Sequence, residues 1–126
     1  MALRNINVTV DLKRGTSQKF KYKQFDNGCI LNLFIRQNKR DISLSNYKAV
    51  ANFKLPSGKI IEEDCTINYN VIFVPINKKV TNEDGKVSLE VQILNSKQVV
   101  STFTIFFDIE KSIVWEGENE RNKLDD

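Results

Sequence analysis

Between Ile6 and Ile109 apolar and polar residues alternate along the chain, interrupted only by short clusters of turn formers. Successive side chains of a strand point to opposite faces, so each stretch sends one face to a core and the other to water. This periodicity predicts an all-β domain. Ile6, Val8, Val10 and Leu12 make the apolar face of a first strand, which Gly15-Thr16-Ser17 ends. Phe20 and Tyr22 alternate with lysines up to Asn27-Gly28, a pair suited to a type I′ hairpin because both of its central residues need positive φ. That hairpin would set Tyr22 opposite Leu33, Phe20 opposite Ile35 and Phe25 opposite Ile30.

Cys29 to Ile35 is apolar on both faces, which predicts a central strand covered on both sides, at least in part. Arg36 to Asn46 is polar apart from Ile42 and Leu44 and reads as a connection crossing between sheets. Tyr47, Ala49, Ala51, Phe53 and Leu55 give a long clean alternation, and Pro56-Ser57-Gly58 turns the chain into a strand with Ile61, Cys65 and Ile67 on one face. Pro75 cannot donate to a ladder, so the run from Val71 to Ile76 has an edge or an end there. Asp84-Gly85 is a second hairpin signal and would set Val80 opposite Leu89. Val87, Leu89, Val91 and Ile93 share a face, Asn95-Ser96-Lys97 turns, and Val99 to Ile109 closes the set with Phe103, Ile105 and Phe107 aligned. Roughly eight antiparallel strands at this spacing predict a β-sandwich or barrel.

The chain has no histidine in 126 residues. The usual proton shuttle and commonest metal ligand are therefore missing, which points to a binding or structural module. No phosphate loop, dinucleotide fingerprint, nucleophile elbow or zinc-protease helix motif is present. Glu62 and Asp64 share a strand face with Ile60 and Thr66, which fits a solvated strand edge better than an acid pair for glycoside chemistry. Asn82-Glu83-Asp84-Gly85 lacks the spacing of a calcium loop and reads as a turn. Cys29 and Cys65, the only cysteines, are expected to be free thiols acting as small buried hydrophobes. Neither a metal nor a cofactor is predicted. No apolar run reaches membrane-span length, and Met1 to Ile6 lacks an apolar leader, so a cytoplasmic origin is the expectation.

Charge is unevenly placed. Residues 1–60 carry 12 Lys and Arg against three Asp and no Glu, net +9, whereas residues 61–126 carry seven against 13, net −6. Such a split can mark an oriented surface, but solvated strand faces explain it better. Lys13-Arg14 and Lys39-Arg40 are the only tight basic pairs of the first half, and scattered cations do not make a nucleic-acid groove. The β-domain is taken to span residues 1–111, followed at 112–126 by a charged tail or the start of a helical connector. Trp115 beside that tail either caps the sandwich or serves a protein contact. Trp115, Lys13 and Arg14 are the candidate interface residues; no catalytic residue is assigned.

Gln24-Phe25-Asp26-Asn27-Gly28 precedes the strand Cys29 to Ile35, and Asp41-Ile42-Ser43-Leu44 leads to the strand Tyr47 to Leu55. The turn Leu55-Pro56-Ser57-Gly58-Lys59 follows, then the Gly-led strand Gly85 to Ile93 and the strand Val100 to Phe107, closing on Ser112-Ile113. In this order, over about residues 5–114, the blocks resemble the N-terminal domain of phage baseplate upper proteins, whose Lys-Pro-Asp-Gly hairpin is matched here with Ser57 in place of the usual acid. The resemblance implies an immunoglobulin-like β-sandwich in a phage or prophage tail tip, made in the host cytoplasm. It implies docking on a central tail hub, contact with receptor-binding proteins for host recognition, and a homo-oligomer in the virion, without catalysis, nucleic acid or membrane insertion. An adhesin-type module binding carbohydrate or protein is the alternative, and would want clustered exposed aromatics where Tyr22, Tyr47 and Tyr69 lie in separate strands. A nucleic-acid-binding barrel or an enzyme is the third reading, and a steep salt dependence of DNA affinity would mark the former.

Overall fold

A computed structural model describes residues 5–113. Its strands are β1 (Ile6–Asp11), β2 (Lys21–Lys23), β3 (Cys29–Gln37), β4 (Arg40–Asp41), β5 (Lys48–Lys54), β6 (Ile60–Asn68), β7 (Val71–Ile76), β8 (Gly85–Asn95) and β9 (Gln98–Glu110), with one helical turn, α1 (Lys78–Thr81), before β8. The pairing order β1-β3-β7-β6-β5-β8-β9-β2 is one curled sheet folded into two layers. β6 is the corner. Its first half, Ile60 to Cys65, pairs with β5, and its second half, Thr66 to Asn68, pairs with β7. Pro75 lies in β7 opposite Ile30, beyond the stretch where β6 pairs, so its missing N–H falls where a partner strand has already left.

Alternation becomes burial as expected. Val8, Val10, Leu31, Leu33, Ile35, Ile72, Val74 and Ile76 from one layer meet Ala51, Phe53, Val87, Leu89, Val91 and Ile105 from the other in a single core. Phe20 stacks on Phe107 at 5.2 Å, and the fully buried Tyr22 meets the same ring edge-on at 5.9 Å. Cys29 is buried and Cys65 partly so, both as free thiols.

The architecture is all-β as predicted, but the pairing is mixed. β1 runs parallel to β3, and β2 parallel to β9. The chain leaves β1 in one layer, visits the other as β2 and returns as β3, and such a crossover is what parallel pairing requires. The predicted Asn27-Gly28 hairpin is therefore absent. Tyr22 aligns with Ile109 rather than Leu33, and β3 takes β1 and β7 as neighbours. Only Gly28 of the pair has positive φ, while the Asn27 side chain accepts from Lys78 N at 3.2 Å. Residues 24–28 cross between layers, held by Phe25 N donating to Thr81 O and the Thr81 hydroxyl donating to Asp26 O at 2.7 Å.

The Asp84-Gly85 hairpin fails as well. Val80 belongs to α1, fully buried, because the Asn77 side chain caps the turn by accepting from Lys79 N. Hairpins do form around the two-residue loops Tyr69-Asn70, between β6 and β7, Asn38-Lys39, between β3 and β4, and Ser96-Lys97, between β8 and β9. Both residues of the last two loops, and Tyr69 of the first, have positive φ.

Candidate functional site

The sandwich has two ends. At one, β1, β3 and β8 finish and β5, β7 and β9 begin; it is called here the Asp11 end. At the other, the Gly85 end, lie residues 24–28, the β5–β6 turn and α1.

Asp11 organises its end through its carboxylate. Oδ1 accepts from the backbone N–H of Lys13 at 2.8 Å and of Arg14 at 3.1 Å, and Oδ2 accepts from Lys39 N at 3.2 Å. These amides favour the ionised form and hold its pKa below the usual value, the Lys13 hydrogen bond contributing most. Lys13-Arg14 and Lys39-Arg40, far apart in sequence, are thereby tied to one carboxylate. Arg36 joins them, its Nε bonded to Asp41 at 3.1 Å, and Lys48 and Lys97 sit at strand ends on the same side. Six of the 12 cations of residues 1–60, namely Lys13, Arg14, Arg36, Lys39, Arg40 and Lys48, lie at this end, with Asp11 and Asp41 among them. Sequence reasoning treated the two basic pairs as scattered because nothing in their spacing shows that the crossover folds the first onto the second.

Backbone strain has the same address. Asn38, Lys39, Tyr69, Ser96 and Lys97 have φ between 50° and 75° at the Asp11 end, and Phe25 is the one other non-glycine residue with positive φ among the described residues. Each pays a steric penalty that glycine avoids, and such strain concentrates where side chains serve a contact. Tyr47 and Tyr69 are exposed at this end, both tied by backbone hydrogen bonds to Leu44; Tyr22, in contrast, is core. A shallow groove of about 420 Å³ runs beside the cluster, with Leu12, Ile42, Tyr47 and Val100 among its walls and Lys13 joining them. Cations, tyrosines and a small apolar floor make a surface suited to an acidic protein partner.

Nucleophilic chemistry finds no support in the remaining groups. Burial, reinforced by Asp64 and Glu63, pushes the Cys65 thiol up to about 12, so the reactive thiolate is scarce at neutral pH. Among the described residues no group of three acidic or cysteine side chains is placed to hold a metal ion, and no helix is long and apolar enough to cross a membrane. Of the residues singled out from the sequence, Lys13 and Arg14 are exposed at the Asp11 end, and Trp115 lies outside the described residues, as does most of the 112–126 segment.

At the Gly85 end two of the blocks that resemble baseplate upper proteins form one joint. Gly85 has φ +125°, and a Cβ there would lie 2.9 Å from Pro56 Cγ. Glu83 clamps the neighbouring turn, accepting from Ser57 N at 2.9 Å and from the Ser57 hydroxyl at 2.8 Å. An acid at position 57 would face that carboxylate, which gives Ser57 a physical reason to depart from the family pattern.

Comparison with known proteins agrees with this geometry. No match was found among curated proteins. Among solved structures, the N-terminal domain of phage TP901-1 ORF48 superposes with a TM-score of 0.69 at 11% identity, covering 85% of this chain and 98% of that one, a likeness of fold. The family model described as the BppU N-terminal domain matches residues 4–126, which makes this chain a member of that family, the N-terminal domains of baseplate upper proteins, and a structural component of a phage tail baseplate.

Proposed function

We propose that the domain docks on the central tail hub through its Asp11 end and holds receptor-binding proteins around that hub for host recognition. The observation that carries this reading is the gathering of Lys13, Arg14, Lys39 and Arg40 around Asp11, with Asn38 and Lys39 keeping positive φ in the second of the two turns. Cations held out on rigid turns steer and orient an acidic partner. Trp115 is a second contact in this reading, directed to the receptor-binding protein or to a neighbouring subunit. The role is non-enzymatic, exercised in the virion tail after synthesis in the host cytoplasm.

Mixing the purified domain with purified hub protein tests it. Lys13→Glu/Arg14→Glu is expected to weaken hub binding at least tenfold, since each desolvated charge contact contributes about 1–2 kcal/mol, while circular dichroism and melting stay unchanged. Wild-type binding is expected to weaken with added salt. Hub affinity equal in variant and wild type would refute the assignment of this end, and tight binding to DNA with no affinity for the hub would replace it with a nucleic-acid surface.

A further inference from the structure

The sheet ends in β1 on one side and, beyond the three residues of β2, in β9 on the other. The two edges are finished differently. Along β1 the outward amides are taken, Thr9 N donating to the Gln18 side chain at 2.6 Å and Asp11 N to Gly15 O at 3.0 Å. β2 covers β9 only from Asp108 to Glu110, where Asp108 N donates to Phe20 O and Glu110 O accepts from Gln24 N. The backbone groups of a strand alternate between its two sides, and no register shift separates Thr102 from Asp108. Thr102, Thr104 and Phe106 therefore turn their N–H and C=O groups to the same side as Asp108, away from β8. No backbone or side-chain group among the described residues bonds to these six. Protein sheets usually guard such an edge with a lysine, a proline or a bulge. From Gln98 to Phe107 β9 carries no charge, proline or glycine, and its one irregularity lies between Val99 and Ser101, before the free stretch begins.

We propose that this edge is a strand-addition site: an extended, acid-bearing segment of the tail hub pairs with Thr102, Thr104 and Phe106 and becomes a further strand of the β9 layer. The backbone selects the occupant. Donors and acceptors repeating every second residue are satisfied by another extended chain, and not by a helix or a flat apolar surface. Charge sets the flanks of that segment. Lys13 lies beside Val100 and Ser101 in the groove of the Asp11 end. At the opposite end of the free stretch Lys19 lines a hollow of about 280 Å³ with Phe106 and Asp108, and Lys86 Nζ sits 4.8 Å from the centre of the Phe106 ring. Acids on either side of an uncharged middle match that order. A second copy does not fit. Setting the three residues against their counterparts in an antiparallel pair would run Gln98 to Val100 of each copy into the place that β2 holds opposite Asp108 to Glu110. Because the free stretch leads out of the groove at the Asp11 end, the proposal rests on the docking described above for the identity of the partner, though not for the openness of the edge.

Amide hydrogen exchange of the full 126-residue chain, followed residue by residue with and without purified hub protein, tests this. In the free chain Thr102, Thr104 and Phe106 are expected to exchange about tenfold faster than Phe103 and Ile105, whose amides face β8. In the complex that alternation disappears. Thr104→Pro deletes an N–H that β8 does not use, a change that an edge strand tolerates. It is expected to weaken hub binding about tenfold with little change in melting, whereas Thr104→Val keeps the backbone and should bind as wild type does. Three slow amides in the free chain at every concentration would mean that the chain covers its own edge, and slowing only at high concentration would give the edge to a second copy. Either overturns the proposal. So does hub binding that leaves the three amides fast or is indifferent to Thr104→Pro; if Lys13→Glu/Arg14→Glu still weakens that binding, docking at the Asp11 end stands without strand addition. A hub protein with no affinity for the wild-type chain overturns both.

Discussion

The two ends of the sandwich solve the same problem, turning strands through tight angles, with opposite chemistry. At the Gly85 end, Gly28, Gly58 and Gly85 take the positive-φ positions apart from Phe25, and the turns lock together: Pro56 against Gly85, Ser57 on Glu83, Asp26 on Thr81. At the Asp11 end, lysines, a serine, an asparagine and a tyrosine occupy such positions beside Gly15, and a single carboxylate gathers the loops. One end leaves its positive-φ positions mostly to glycine and ties its turns to one another. The other keeps strain and exposes side chains. That contrast is what separates a scaffold joint from a docking surface, because side chains retained where glycine would be more stable report a demand other than folding.

The comparison breaks most visibly at Gly85. Gly85→Ala forces a Cβ into the Pro56 ring and onto a backbone angle that L-residues avoid, and is expected to cost about 3 kcal/mol. Chemical denaturation measures it. Pro56→Ala in the same chain should recover the steric part and leave the backbone part, so a double-mutant cycle separates the two. An unchanged midpoint in Gly85→Ala would mean that the joint is looser than its geometry.

Glu83→Ala follows in size. It removes both acceptors of the Ser57 turn, a loss of about 1–2 kcal/mol for charge-assisted bonds that are partly exposed. Ser57→Asp should be as harmful, through repulsion from Glu83, and Ser57→Asp/Glu83→Gln should restore much of the loss. If Ser57→Asp melts like wild type, the clamp does not explain the departure from the family pattern.

Why some of this was legible in the sequence and some not is a matter of range. Period-2 alternation is local, so Val87 to Ile93 and Phe103 to Phe107 were assigned to the core directly, and the apolar outer face of Cys29 to Ile35 was visible as a strand with two apolar sides. Pairing partners are not local. Asn27-Gly28 has ideal hairpin chemistry, yet the Tyr22 ring finds its place over Phe107 in the other layer, and that burial outweighs a turn preference. Ser96, Lys97 and Lys39 have poor chemistry for positive φ, unlike Asn38, but sit between strands whose register leaves two residues to spare. The basic cluster at the Asp11 end was legible only as a charge imbalance, because its assembly depends on the β1–β3 crossover. Trp115 lies outside the described residues and stays a proposal.

A sharper form of the comparison lies in Lys97→Gly. Relieving one left-handed non-glycine position is expected to stabilise the domain by up to about 1 kcal/mol. If the Asp11 end is a docking surface, hub affinity should fall in the same variant. Greater stability together with stronger or equal binding would remove strain from the argument for function.

Asp11→Asn is expected to have the smallest effect on stability, since the carboxylate is exposed and water screens it; it also keeps one acceptor oxygen. Its signature is in pH. The folded-state pKa of Asp11 is lowered by amide hydrogen bonds, that from Lys13 foremost. The unfolded chain therefore binds the proton more readily, and the stability Asp11 supplies is fully present above the ordinary carboxylate pKa and is lost as pH falls through the lower, folded value. Melting curves of wild type and Asp11→Asn should accordingly differ at neutral pH and converge in acid below the usual carboxylate range. The contact of the Pro56 ring with Gly85 involves no titratable group, so Gly85→Ala should cost the same at both pH values. Curves that stay parallel into strong acid would show that Asp11 does not gather the loops through its charge, and with it the electrostatic distinction between the two ends would go.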